Sequence, residues 1–199
     1  MIDLVTLEHI MSQKLDDYRF AHTQSVKEEC ERLAKIFSLS SADTDELLQA
    51  ALLHDCTKPF KFAEQLMLAQ MLRIELSDDD MQSPAILHSI TGAQTAKVQY
   101  GVSDSVANAI ACHTTGKEDM TLIEKLLFLA DYIEPTRTFD DCVRVRQYFY
   151  EECAHLTIME RLDATLLMAF DLTIEQLISE KHPIHPQTVK SRNFLLKKT

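Results

Sequence analysis

The chain has 199 residues, 46% of them hydrophobic, with three glycines and five prolines. That length supports one well-packed domain and is short for two independent cores, and so few turn formers argue against a sheet sandwich. The formal net charge of -11 excludes the basic stripe that a nucleic-acid polymer needs for counterion release, yet a small anionic substrate stays compatible with a cleft holding divalent cations.

Apolar positions recurring at three- and four-residue spacing predict helices along the whole chain. The first covers Leu4 to Lys14, and Asp16 or Asp17 caps a second that runs to Phe37. In that second helix Val26, Cys30, Leu33 and Phe37 form a core-facing stripe, and one turn back from Val26 stands His22, which therefore points inward. A third helix begins near Asp43 and runs through Leu47, Leu48, Ala51 and Leu52 into His54-Asp55, where Thr57, Lys58 and Pro59 break it. Ser83-Pro84 starts a helix bearing His88, and Gly92 one turn further on implies a close approach. Ser103-Asp104 caps a short helix in which Val106, Ile110 and His113 share a face and which ends at Thr114-Thr115-Gly116. From Leu122 to Ile133 the sequence is nearly solid apolar, and Asp131 sits among Leu127, Phe128 and Ala130, a setting in which a carboxylate needs a partner. Beyond Pro135 the pattern predicts a long helix from about Glu151 to Glu180 and a final one ending near Leu196, separated by an extended His182-Pro183-Ile184-His185-Pro186. No repeat or linker divides the chain.

Cys30, Cys56, Cys112, Cys142 and Cys153 include no C-x-x-C pair, and the N-terminus has no basic-then-apolar leader. Reduced thiols in a cytoplasmic protein are expected. No apolar run approaches the roughly 20 residues that span a bilayer, so no membrane partner is expected. Cys56 has no base dyad beside it and is not read as a nucleophile. His9 and His155 are expected at the surface.

A single inward histidine is more often a hydrogen-bonded core residue than a ligand. His22, His54, Asp55, His88, His113 and Asp131 as a set are different, because burying all six without a shared positive charge would be costly. A metal cluster resolves them together. Imidazole with carboxylate and no thiolate suits iron, manganese, cobalt or zinc. Asp55 is the natural bridge, with His22, His54 and Asp131 on one ion and His88 with His113 on the other, the ions about 3.5 to 4 Å apart as in two-metal sites.

The ordered set His22, His54-Asp55, His88, His113, Asp131, with Lys58 three residues after the bridge, resembles the HD-domain metal-dependent phosphohydrolases. More narrowly, "YRFAHT", "ALLHDCTK", "CHTTGKEDMTLIEKLLFLADYIEPTR" and "HPIHPQTVKSRNFLL" resemble the YqeK-type branch, the bacterial symmetrical diadenosine tetraphosphate hydrolases. The resemblance covers nearly the whole chain. It implies an all-α, single-domain helical bundle over residues 1–199 with a buried dinuclear metal site, a ligand core over about 18–135, and C-terminal helices and tail over 136–199 that complete the substrate pocket. It implies symmetric hydrolysis to two ADP at a di-iron centre by a metal-bound hydroxide, with Asp55, Lys58 and Asp131 in catalysis. Arg19, Lys58 and Arg137 match the family's phosphate-binding cations, beside His88, His113 and the Thr114 hydroxyl. The stretch Pro183, Ile184, His185, Pro186, Gln187 and Thr188 is expected to help enclose the nucleoside, with Phe194 either near the base or in the core. ADP or GDP would be product-like ligands, and a homodimer stays open. Other nucleotide phosphohydrolase or phosphodiesterase activity is the nearest alternative. A di-iron oxygenase fits the three cations less well, and a ligand-sensing module without turnover fits the complete ligand set less well.

Overall fold

Most helices of this chain begin at a short polar residue whose side chain accepts from a backbone N–H of the first turn: Asp3, Asp16, Ser40, Ser77, Ser103, Thr121 and Thr157 all do so. The structure, a computed structural model, describes residues 2–197, so residues 1, 198 and 199 of the expected 1–199 unit lie outside the described residues. The helices are α1 Leu4–Lys14, α2 Asp17–Ile36, α3 Ser41–Leu53, α4 Phe62–Met71, α5 Asp78–Gln82, α6 Leu87–Tyr100, α7 Asp104–Cys112, α8 Leu122–Ile133, α9 Asp140–Gln147, α10 Ile158–Ser179 and α11 Pro186–Leu196, with a 3-10 turn at Pro84–Ile86 before α6. No strand occurs among the described residues, and no helix among them is long and apolar enough to cross a membrane.

The centre is a bundle in which α2 packs on α3 and α8, α7 packs on α3, α6 and α8, and α1 closes α3. Leu52, Leu53, Val106, Ile110, Leu126, Leu127 and Leu129 are fully buried there, each stabilising the fold by roughly 1.5 to 3 kcal/mol through transfer from water. The closeness expected at Gly92 is present but does not demand glycine, since an added Cβ would stand 3.4 Å from Thr57 Oγ1 and 3.6 Å from His54 O. α10 and α11 pair with each other, and α10 leans on α8 and α9.

Two expectations need correction. The sequence reading passed from Pro59 to Ser83 without an element, yet α4 and α5 lie there. α4 buries Gln65 and Ala69 and leaves Met67 and Met71 exposed, so it lacks the apolar stripe that would have revealed it. The helix expected from about Glu151 begins at Ile158, where Thr157 and Glu160 form a capping box. Before it come α9 and a single π-helical turn at Tyr148–Glu152. That turn buries Phe149, under the Arg161 guanidinium 4.9 Å away, and directs the Tyr150 hydroxyl to Glu29.

Arg146 on α9 holds the C-terminal end of α8. Its Nε donates to Ile133 O at 2.5 Å, and its Nη2 donates to Glu134 O at 2.6 Å and Arg137 O at 2.8 Å. Ile133 O is among the last carbonyls of α8, which a helix end leaves without partners of its own, while Glu134 O also accepts from Arg137 N at 3.1 Å.

Candidate metal centre

Helix ends bring the side chains together. His54 is the C-cap of α3 with Asp55 following, His113 is the C-cap of α7, His88 lies in the first turn of α6, Asp131 in the last turn of α8, and His22 in the second turn of α2. Asp55 Oδ1 stands 3.2 Å from His88 Nε2 and 3.8 Å from His113 Nε2, while Asp55 Oδ2 stands 3.8 Å from His54 Nε2. On the other side Asp131 Oδ1 is 3.1 Å from His22 Nε2 and 3.8 Å from His54 Nε2. Within each of three groups, His22/His54/Asp55, His54/His113/Asp131 and Asp55/His88/His113, candidate ligand atoms lie within 4.8 Å of one another.

The far ring nitrogens are all engaged. Nδ1 donates to Ala51 O from His54 at 2.7 Å, to Ala85 O from His88 at 2.8 Å and to Ile110 O from His113 at 2.7 Å. His22 Nδ1 donates to Glu134 Oε1 at 3.0 Å. With Nδ1 carrying the proton, each Nε2 lone pair faces the cluster, the arrangement in which an outer acceptor sets a ligand's tautomer. His54 Nε2 is buried with no hydrogen-bond partner. An orphaned imidazole nitrogen among two carboxylates and three further imidazoles fits a divalent cation.

The protonation states suit that role. Burial works against charge on Asp55, but His54, the His88 hydrogen bond and Lys58 outweigh it and hold the carboxyl well below the usual range. Burial is likewise overcome at Asp131, by Arg137 and by His22 and His54. Burial, then the neighbouring His88 and His54, pushes His113 down to about 3, and burial also lowers His88. His22 differs, since burial alone would lower it but hydrogen bonds to Asp131 and Glu134 raise it to about 9. Bound cations would displace that proton, as ligation generally does.

The three expected cations border the cluster in different ways. Lys58 Nζ is 3.1 Å from His88 Nε2, and Arg19 Nη1 is 3.7 Å from Asp55 Oδ2. Arg137 Nη2 donates to Asp131 Oδ1 at 2.7 Å, so it supports a candidate ligand directly. Thr114 Oγ1 lies 3.1 Å from Ser89 Oγ. A cavity of about 450 Å³ opens beside them, lined by Lys58, Thr114, Thr173, Leu177, Pro183 and Thr188 among others. His185 also lines it, with its Nε2 3.3 Å from Asp80 Oδ1. Gln187 lines a neighbouring cavity of about 300 Å³, whereas Ile184, Pro186 and Phe194 lie outside the lining of both. His9 and His155 are exposed, and burial pushes the Cys56 thiol up to about 12, which leaves it inert.

Sequence reasoning missed two supports. Glu134 is fully buried and accepts from His22, from Thr136 N at 2.6 Å and from Thr136 Oγ1 at 2.7 Å. Its signal was a carboxylate at the end of a nearly solid apolar helix, three residues after Asp131. The second is a network behind Asp55: Gln65 Nε2 donates to Thr57 O at 2.6 Å, Thr91 Oγ1 to Gln65 Oε1 at 2.5 Å, and Thr57 Oγ1 to His88 O at 2.9 Å. It ties the turn carrying Asp55 and Lys58 to α6.

Compared with known proteins, residues 19–136 match the HD domain family. A protein of Halalkalibacterium halodurans described as a symmetrical bis(5'-nucleosyl)-tetraphosphatase is 32% identical over 94% of each chain. One of Bacillus subtilis with the same description is 30% identical over 94% of each. A solved structure from Clostridium acetobutylicum, described as an HD superfamily hydrolase involved in NAD metabolism, covers 100% of both chains at 30% identity with a TM-score of 0.87.

Proposed function

This chain belongs to the HD-domain family, and we propose that it is a metal-dependent hydrolase that cleaves diadenosine tetraphosphate symmetrically into two ADP. The activity is the one named for relatives at 30% and 32% identity over nearly the whole chain. The observation that carries the metal reading is the Asp55 carboxylate, whose Oδ2 faces His54 while its Oδ1 faces His88 and His113. A carboxylate placed this way suits a bridge between two cations.

In this reading His22, His54 and Asp131 would hold one ion, His88 and His113 the other, and Asp55 would serve both, with iron as the resident metal from a donor set that would also accommodate manganese, cobalt or zinc. Two cations held there would supply an activated water and positive charge for the phosphoryl oxygens. The chain's own groups do the rest. Asp55 and Asp131 supply negative charge, and Glu134 keeps the proton of His22 on Nδ1. Lys58 and Arg19, at the edge of the cluster, bind the phosphate chain, Arg137 does so while steadying Asp131, and Thr114 donates a hydroxyl. Pro183, His185 and Thr188 wall the nucleoside. In this reading residues from about 18 to 135 form the ligand core, and the C-terminal helices and tail, described to residue 197, complete the pocket. Five free, buried cysteines accord with a cytoplasmic setting.

Chromatography of the products tests the reading: diadenosine tetraphosphate yields ADP alone, and anaerobically purified chain carries two metal ions. ATP and AMP in equal amounts would overturn symmetric cleavage.

A further inference from the structure

A symmetrical dinucleotide has two identical nucleosides, and cutting its central anhydride leaves each on a diphosphate. A chain that makes this cut seats two bases at equal phosphate distance from the metals, and the cavity under the tail accounts for one. A second cavity of about 260 Å³ adjoins it, with Lys58, Pro84 and Ala85 lining both. His88 forms part of its wall, and so do Phe60 and Phe62. These rings are 44% and 43% exposed, so both keep apolar surface that a ligand seated in this cavity could cover. They follow directly on Lys58, so one short segment carries a phosphate-facing cation and, at the next alternate positions, two rings. Another cavity in the area, of about 300 Å³, shares Ile86 and His185 with the tail cavity but is lined by none of the six cluster residues, by no phenylalanine or tyrosine ring and not by Lys58.

Resting on the activity proposed above, we infer that Phe60 and Phe62 form the platform on which the second nucleobase of the substrate stacks. Aromatic rings accept any base because every base has a π face, so the platform gives affinity for the second half of the substrate without choosing between adenine and guanine. Phosphate binding by Lys58 and stacking by Phe60 and Phe62 then act on adjacent parts of one half.

Two measurements test it. In steady-state kinetics on metal-replete chain, the double variant Phe60→Ala/Phe62→Ala raises KM for diadenosine tetraphosphate about tenfold, equivalent to about 1.4 kcal/mol of lost stacking. kcat stays within about twofold, because the metals and Lys58 are untouched, and Phe60→Tyr, which keeps the ring, retains the parental KM. The chain has no tryptophan, so Phe60→Trp installs a single indole. In zinc-loaded protein its fluorescence falls on titration with the analogue whose central bridging oxygen is a methylene, and does not fall with inorganic tetraphosphate. Unchanged KM in the double variant, or an indole indifferent to the analogue, overturns the platform. Failure of the unmodified chain to release ADP overturns the underlying activity instead, and the indole titration still decides the platform.

Discussion

Between residues 19 and 136 the chain buries ionisable groups, His54, Asp55, His88, His113 and Glu134 among them, whereas among the described residues after Pro135 no charged side chain is buried. The later helices bury Val145, Phe149, Leu162, Leu166, Ala169 and Phe170. Stability in the first region therefore depends on mutual neutralisation and on what binds there, because each buried charge removed from its partners is expensive. Stability in the second depends chiefly on packing, with polar contacts such as those of Arg146 and Arg192 added to it. The two regions meet where α8 packs on α9 and α10, and at Gly116 in the loop after α7, where an added Cβ would run into Phe170 of α10 and Ser191 of α11.

The sharpest break of this contrast is Asp55→Ala. It removes the carboxylate that faces both imidazole groups, so hydrolysis is abolished and metal per chain falls, while the C-terminal packing is untouched. Full metal content and rate in that variant, read by metal analysis and product assay, would dissolve the distinction. Next comes Gly116→Ala at the seam. The residue sits at φ +62, and an added Cβ would meet Phe170 Cζ at 2.5 Å and Ser191 Cβ at 3.1 Å. Left-handed backbone and overpacking together cost about 2 to 4 kcal/mol. Urea denaturation should show that loss, with metal content per folded chain unchanged. Smallest is Arg192→Ala on the outer side of the C-terminal pair. Arg192 Nε meets Asp171 Oδ1 at 2.7 Å, but the two side chains are 28% and 42% exposed. The variant should shift the same unfolding transition by about 0.2 to 1 kcal/mol.

The contrast also explains what was readable from the chain. The starts of α1, α2, α7 and α8 were legible because a capping residue and an apolar stripe coincide there, and His22, His113 and Asp131 were legible as polar residues lying on those inward faces. α4 was hidden because its buried residues are Gln65 and Ala69, a face with no hydrophobic period. The start of α10 was misplaced because Glu151 continues a helical pattern while Tyr150 turns aside to Glu29, a partner that sequence spacing cannot show. Glu134 was missed for the same reason, since its role is set by His22, more than a hundred positions earlier. Arg137 was expected as a phosphate ligand because it matches the family's cations, and its bond to Asp131 depends on the path of the chain around Pro135. The tail stretch was read as one enclosing segment, yet Pro183, His185 and Thr188 line the tail cavity while Ile184 and Pro186 do not, because the chain begins α11 at Pro186 and only some side chains of a helix's first turn share a side.

Arg146 serves three main-chain oxygens at once. Its worth lies in shape, because the planar fork sends Nε and Nη2 to separate acceptors in fixed directions. Lysine, the exchange that keeps the charge, offers a single nitrogen on a flexible stem and cannot reproduce that reach, so it could not serve Ile133 O at the end of α8 together with the two carbonyls beyond it. Asp131, two residues before Ile133, would inherit the slack. Drift at a position that touches no candidate ligand is thus restrained by the geometry of one that does, and the restraint falls on the identity of the side chain even where its sign is preserved.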